Sequence, residues 1–153
     1  QTKTYEKQID GKISLVWEYF SEYAKAPNNG GKVYDGVNVV SPSFFYIKLK
    51  NTEKESLTKV DVLLQSNLLE NVGEEGIAYI KWAKQNGYKI WPKVTNDTLP
   101  STIDEFSVII NDFKLRENMI NQIKLYVEKY DFDGINLDFE YILIIFLCYY
   151  IFL

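Results

Sequence analysis

Asp133-Gly134-Ile135-Asn136-Leu137-Asp138-Phe139-Glu140 is the stretch on which the reading of this chain turns. It follows a helical pattern by a few residues and reads as a short strand. In an extended strand, side chains two positions apart share a face. Asn136, Asp138 and Glu140 therefore project together, while Ile135, Leu137 and Phe139 project from the opposite face toward a core. Three polar groups in register on a core strand are costly to bury, so the pattern points to a site. Carboxyl groups this close also favour acid–base chemistry, because like charges resist joint ionisation and one partner tends to keep its proton. Two other readings fit the same residues. The acidic groups could cap helices or form ion pairs, or Asp133, Asp138 and Glu140 could hold a magnesium ion for a metal-dependent hydrolase.

The spacing resembles the Asp-x-x-Asp-x-Asp-x-Glu signature of glycoside hydrolase family 18, the chitinase family. Asp133, Asn136, Asp138 and Glu140 fall on its four polar positions, with Asn136 where Asp is more common, and Gly134 matches the glycine after the first Asp. The resemblance extends to Val16-Trp17-Glu18-Tyr19, to Val40-Ser41-Pro42-Ser43-Phe44-Phe45-Tyr46 and to Pro92-Lys93-Val94-Thr95-Asn96-Asp97. These segments look like the branch that contains bacterial spore-cortex and cell-wall hydrolases. The Ser-x-Gly-Gly segment of many chitinases is absent, which favours a GlcNAc-containing glycan other than chitin, such as peptidoglycan.

The resemblance implies retaining, substrate-assisted hydrolysis of a β-linked N-acetylhexosamine, with no enzyme nucleophile and no cofactor. Glu140 would be the general acid and base. Asp138 would orient the 2-acetamido group, and Asn136 and Asp133 would support Asp138. Trp17, Tyr46, Asn96 and Asp97 are candidate substrate-binding residues, against core packing for the aromatics and turn or helix capping for the other two. A barrel relative that grips GlcNAc glycans without cutting them is the non-catalytic alternative. The intact Glu140 speaks against it.

Composition narrows the chemistry. The 153 residues are the size of one domain, and 46% hydrophobic content is enough for a core. A net charge of −4 without a basic cluster disfavours nucleic acid. The chain has no histidine, which removes Ser-His-Asp and Cys-His catalysis and every His-ligated metal site. Its one cysteine, Cys148, allows no internal disulfide and lies in an apolar run. Gln1 opens the sequence with no visible signal peptide, as in a processed or excised chain. A secreted, cell-wall or spore-associated setting is expected over the cytoplasm.

Periodicity predicts a first strand over 12–20, a Gly/Asn/Pro-rich loop over 26–36 and a second strand over 37–45 that ends near Pro42. Residues 46–72 read as a hairpin-like excursion. A helix follows over 74–86, with Ile77, Ile80 and Ala83 on its inner face and Gly87 as its stop. A third strand covers 88–94. Helices near 104–111 and over 114–130 come next, the latter with Leu115, Met119, Ile123 and Val127 on one stripe. Strands alternating with helices predict an α/β fold with a parallel sheet. The resemblance implies the first four strands of a (β/α)8 TIM barrel, with the site at the C-terminal ends of its strands.

A whole barrel takes about 250 residues, so residues 1–141 are expected to be the N-terminal half of such a domain. Residues 142–153 (ILIIFLCYYIFL) form an apolar tail of doubtful native status. They are too few to span a bilayer, which takes about 20, but could promote association.

Overall fold

The computed structural model describes residues 11–18, 34–51, 60–65, 74–96 and 105–139. Several expectations fall outside these residues: most of the 26–36 loop, the helix opening at 101–104, Asp97, Glu140 and the apolar tail with Cys148. The described elements follow in the order β1 (Leu15–Glu18), β2 (Val39–Pro42), β3 (Phe45–Asn51), β4 (Val60–Gln65), α1 (Glu74–Gln85), β5 (Lys89–Ile90), β6 (Lys93–Thr95), α2 (Glu105–Asn111), α3 (Phe113–Tyr130) and β7 (Asn136–Asp138).

The chain is a mixed α/β structure with small parallel sheets. β1 pairs with β2, and β2 with β5, both parallel. β3 pairs parallel with β6, which pairs parallel with β7. β2 leads into β3 across Ser43-Phe44, and β5 into β6 across Trp91-Pro92. Along each path the segments lie side by side in chain order, with α1 before β5 and β6, and α2 and α3 before β7. The expected excursion is an antiparallel hairpin in which β3 pairs with β4 from Tyr46↔Gln65 to Asn51↔Val60.

The two long strands are interrupted where the sequence suggested single runs. Proline offers no N–H to a ladder. At Pro42 the chain turns on a Phe44 N–H bonded to the Pro42 carbonyl, 2.8 Å, and then resumes as β3. At Pro92 the carbonyl still accepts from Asn136 N, 3.1 Å, so pairing crosses the break.

Helix α3 shows clear local causes. The Asp112 side chain caps its start by accepting from Lys114 N and Leu115 N at 2.8 and 3.1 Å. Its end is closed by Asp131 in the left-handed region, φ 53°, with the cap N–H returning to Val127 O. Lys84 of α1 pairs with the Asp131 carboxylate at 2.6 Å and ties the two helices together. Met119 is buried, and Leu115, Ile123 and Val127 pack beside it against the core, as the stripe predicted.

The core is aromatic. Phe44 meets Phe45 and Tyr79 edge-on at centroid distances of 6.1 and 6.0 Å, and Phe132 closes on both phenylalanines at 6.1 and 6.3 Å. On α1 the inner face differs from the expected one. Ile80 and Ala83 are buried with Tyr79 and Trp82, but Ile77 is 47% exposed. The larger aromatics reach the sheet first and rotate the helix so that Ile77 faces outward.

Gly134 shows why the strand entry carries a glycine. A Cβ there would lie 2.7 Å from Trp91 Nε1, inside the contact distance of any real side chain. The Trp91 indole thus rests on bare backbone. Gly134→Ala should destabilise the fold by about 1–3 kcal/mol through overpacking. An unchanged thermal or urea midpoint would show that the indole is not fixed there.

Glu18 is buried, 2% exposed, beside the Tyr79 hydroxyl of α1. Tyr79 is fully buried close by. Burial first, and the charge of Glu18 second, push its hydroxyl well above the ordinary value of 10.0. The folded state therefore holds this proton where the unfolded chain has lost it. Stability from this source is complete below about pH 10 and declines as pH rises from there. Urea midpoints measured from pH 8 to 11 should fall along this limb, and Tyr79→Phe should flatten the fall. An equal slope in the variant would assign the alkaline loss to other groups.

Candidate active site

The registers decide which side chains share a face. Tyr46 pairs with Thr95, and Thr95 with Asp138. Lys93 pairs with Asn136. Because the pleat alternates, Lys93, Thr95, Asn136 and Asp138 occupy one face, with Tyr46 in the row of Thr95 and Asp138. Phe45, Val94 and Leu137 form the adjacent row on the other face, where Phe45 and Val94 are buried.

Asn136 reaches back to the second strand. Its Nδ2 donates to Ser41 Oγ at 3.0 Å, linking residues 95 apart in sequence. Trp17 pairs with Ser41 and so lies on the same face at the outer strand, 62% exposed. Asp138 makes a stronger contact. Its Oδ2 lies 2.8 Å from Lys93 Nζ, with the side chains only 26% and 15% exposed. Lys48 Nζ lies 5.0 Å from the Tyr46 ring centroid, a cation–π distance.

The structure thus brings Asn136, Asp138, Tyr46 and Trp17 to one face of neighbouring strands. Asp133 stands apart from them. Its Oδ2 accepts from Ile90 N at 2.8 Å, and its own N–H donates to Ile90 O at 3.1 Å. It is a latch between β5 and the approach to β7, and its support of Asp138 is indirect. Asn96, next to Thr95, is buried, 6% exposed. Glu140 is next in the alternation after Asp138 but lies outside the described residues, as does Asp97.

The opposite side of β7 departs from expectation. Ile135 and Phe139 pack against the core, but Leu137 is 55% exposed. Among the described residues β7 has a strand partner on one side only, β6. The edge position leaves Leu137 without cover from a further layer.

Ser41, Lys93 and Thr95 belong to this face and were not singled out as site residues from sequence. Lys93 and Thr95 alternate around buried Val94, so strand parity was the available signal. Lys93 as the partner of Asp138 needed the register as well. Among the described residues no three acidic, histidine or cysteine side chains gather as a metal site, and no helix is long and apolar enough to cross a membrane.

No protein-family model and no curated protein matches this chain.

The placement of Asp133 separates a structural role from a chemical one. Asp133→Ala removes the acceptor for Ile90 N and should lower stability by about 1 kcal/mol, the screened value of a charge-assisted bond at a partly exposed site. Denaturant titration measures it. A variant as stable as the parent would remove the latch.

Proposed function

We propose that residues 1–141 belong to a glycoside hydrolase barrel of the family 18 type, as its N-terminal half, acting on GlcNAc-containing polysaccharide. The observation that carries the reading is the shared face of Asn136 and Asp138, joined by hydrogen bond and ion pair to Ser41 and Lys93 of the neighbouring strands. The signature spacing is its second support. Parallel pairing of β1 with β2, β2 with β5, and β6 with β7, in chain order, supports it as well.

In this mechanism Glu140 gives its proton to the leaving glycosidic oxygen. The carbonyl oxygen of the substrate's own 2-acetamido group attacks the anomeric carbon as the glycosidic bond breaks, forming an oxazolinium. Asp138 accepts the acetamido N–H and offsets the positive charge. Glu140, now a carboxylate, takes a proton from water as its oxygen attacks the anomeric carbon. The ring opens, configuration is retained and the acetamido group is restored. Trp17 and Tyr46 offer aromatic faces to sugar rings.

The reading carries two expected outcomes. In whichever length of this protein hydrolyses a GlcNAc oligomer, Glu140→Gln should lower turnover by about 10²–10⁴ and leave binding nearly intact. Asp138→Asn should also slow it, because the oxazolinium loses its countercharge. Near-parental turnover of Glu140→Gln would remove the assignment. Turnover abolished by a chelator would transfer it to the magnesium alternative. Binding with no turnover at any length would favour the glycan-binding relative.

A further inference from the structure

We propose that Lys93 is a positioning residue for Asp138, setting the carboxylate so that it recognises the substrate's acetamido group. The inference rests on the glycosidase reading above and extends it to a residue that the signature does not contain.

Lys93 and Asp138 lie on adjacent parallel strands, one register step apart on the same face. Such diagonal neighbours are too far apart for short side chains but within reach of a lysine stem. The ammonium spans the gap and meets Oδ2 at 2.8 Å. Both side chains are largely shielded, at 15% and 26% exposure.

A shielded ion pair of this kind adds little net stability, because desolvation of the two charges offsets their attraction. Its physical consequence is direction. With Oδ2 engaged, the carboxylate cannot rotate without breaking a charge-assisted bond. Oδ1 is left as the oxygen that this ion pair does not engage. An acetamido N–H needs one such acceptor.

Asn136 does not provide this hold. It shares the face, but its amide donates to Ser41, and it makes no hydrogen bond to Asp138. Asp133 is committed to Ile90. Thr95, directly beside Asp138 in register, carries no charge. Among the described residues Lys93 is the cation on Asp138.

A neutral side chain at position 93 should therefore cost discrimination for the acetamido group more than it costs the fold. The measurement is calorimetric binding of the GlcNAc trisaccharide and of the matching glucose trisaccharide to the full 153-residue chain. The parent should prefer the acetamido sugar. Lys93→Met should reduce that preference about tenfold, the scale of one charge-assisted hydrogen bond. Lys93→Arg, which keeps a cation of similar reach, should retain most of it. In an Asp138→Asn background, Lys93→Met should change nothing further, because the lysine acts through that carboxylate.

Undiminished preference in Lys93→Met overturns the proposal and leaves the glycan reading standing. So does an additive loss in the double variant, which would mean that Lys93 acts apart from Asp138. If Lys93→Met does not fold, Lys93→Gln, neutral but with a polar tip, replaces it in both the single and the double comparison. A parent chain that binds neither sugar, or both equally, overturns the role of Lys93, and the glycan reading is then judged separately by the turnover of Glu140→Gln.

Discussion

The register between β6 and β7 is the constraint on which the rest depends. Lys93 pairs with Asn136, Val94 with Leu137 and Thr95 with Asp138. A slip by one residue would turn Asn136 and Asp138 toward Phe45 and Val94, and would put Leu137 among the polar groups. The chain holds this register from the side that precedes the strand. Asp133 exchanges two hydrogen bonds with Ile90, Asn136 N reaches Pro92 O, and the Trp91 indole lies against Gly134. Three residues that look like part of a chemical motif thus divide their work. Asp133 and Gly134 set where the strand begins, and Asp138 stands where that choice places it.

Strand parity was readable from the residues alone. Asn136 and Asp138 alternate with apolar neighbours, and period two is enough to put them on one face. The α3 stripe was readable for the same reason, because steps of four survive any packing that keeps the helix amphipathic. The hairpin was visible in alternating residues on either side of a polar stretch. What could not be read is what depends on neighbours. Ile77 fits the helical period of α1, yet Tyr79 and Trp82 occupy the sheet side by size. Leu137 fits the strand period, yet the edge leaves it exposed. The break at Pro42 was read as an end because a missing N–H is a local fact, whereas resumption of pairing at Phe45 is a tertiary one.

The candidate site divides along the same line. The residue types came from sequence, and the contacts came from register. Lys93 is the clearest case. Nothing local ties it to Asp138, and it becomes a partner only when β6 and β7 lie side by side. Glu18 is the converse. In sequence it reads as one more polar residue on an alternating strand, but it is packed beneath α1 with Tyr79, at 2% exposure. Its strand parity sends it to the side of the sheet opposite Trp17. Two acidic residues on parallel strands thus have different surroundings, one buried beside the Tyr79 hydroxyl, the other in an ion pair with Lys93.

The distance along the chain between paired segments has a consequence for how the molecule is made. Leu15 pairs with Val39, Val39 with Lys89, and Lys93 with Asn136, so each parallel contact closes a long loop. Such contacts come late and slow folding, whereas the β3–β4 hairpin and the helices close locally. During synthesis the hairpin can form while the later strands are still unmade. The polar face of β6 and β7 cannot, because Ser41 waits for a partner 95 residues downstream and Lys93 for one 45 residues downstream. Until residue 138 has emerged, the aromatic side of β3 and α1 is shielded only by local structure.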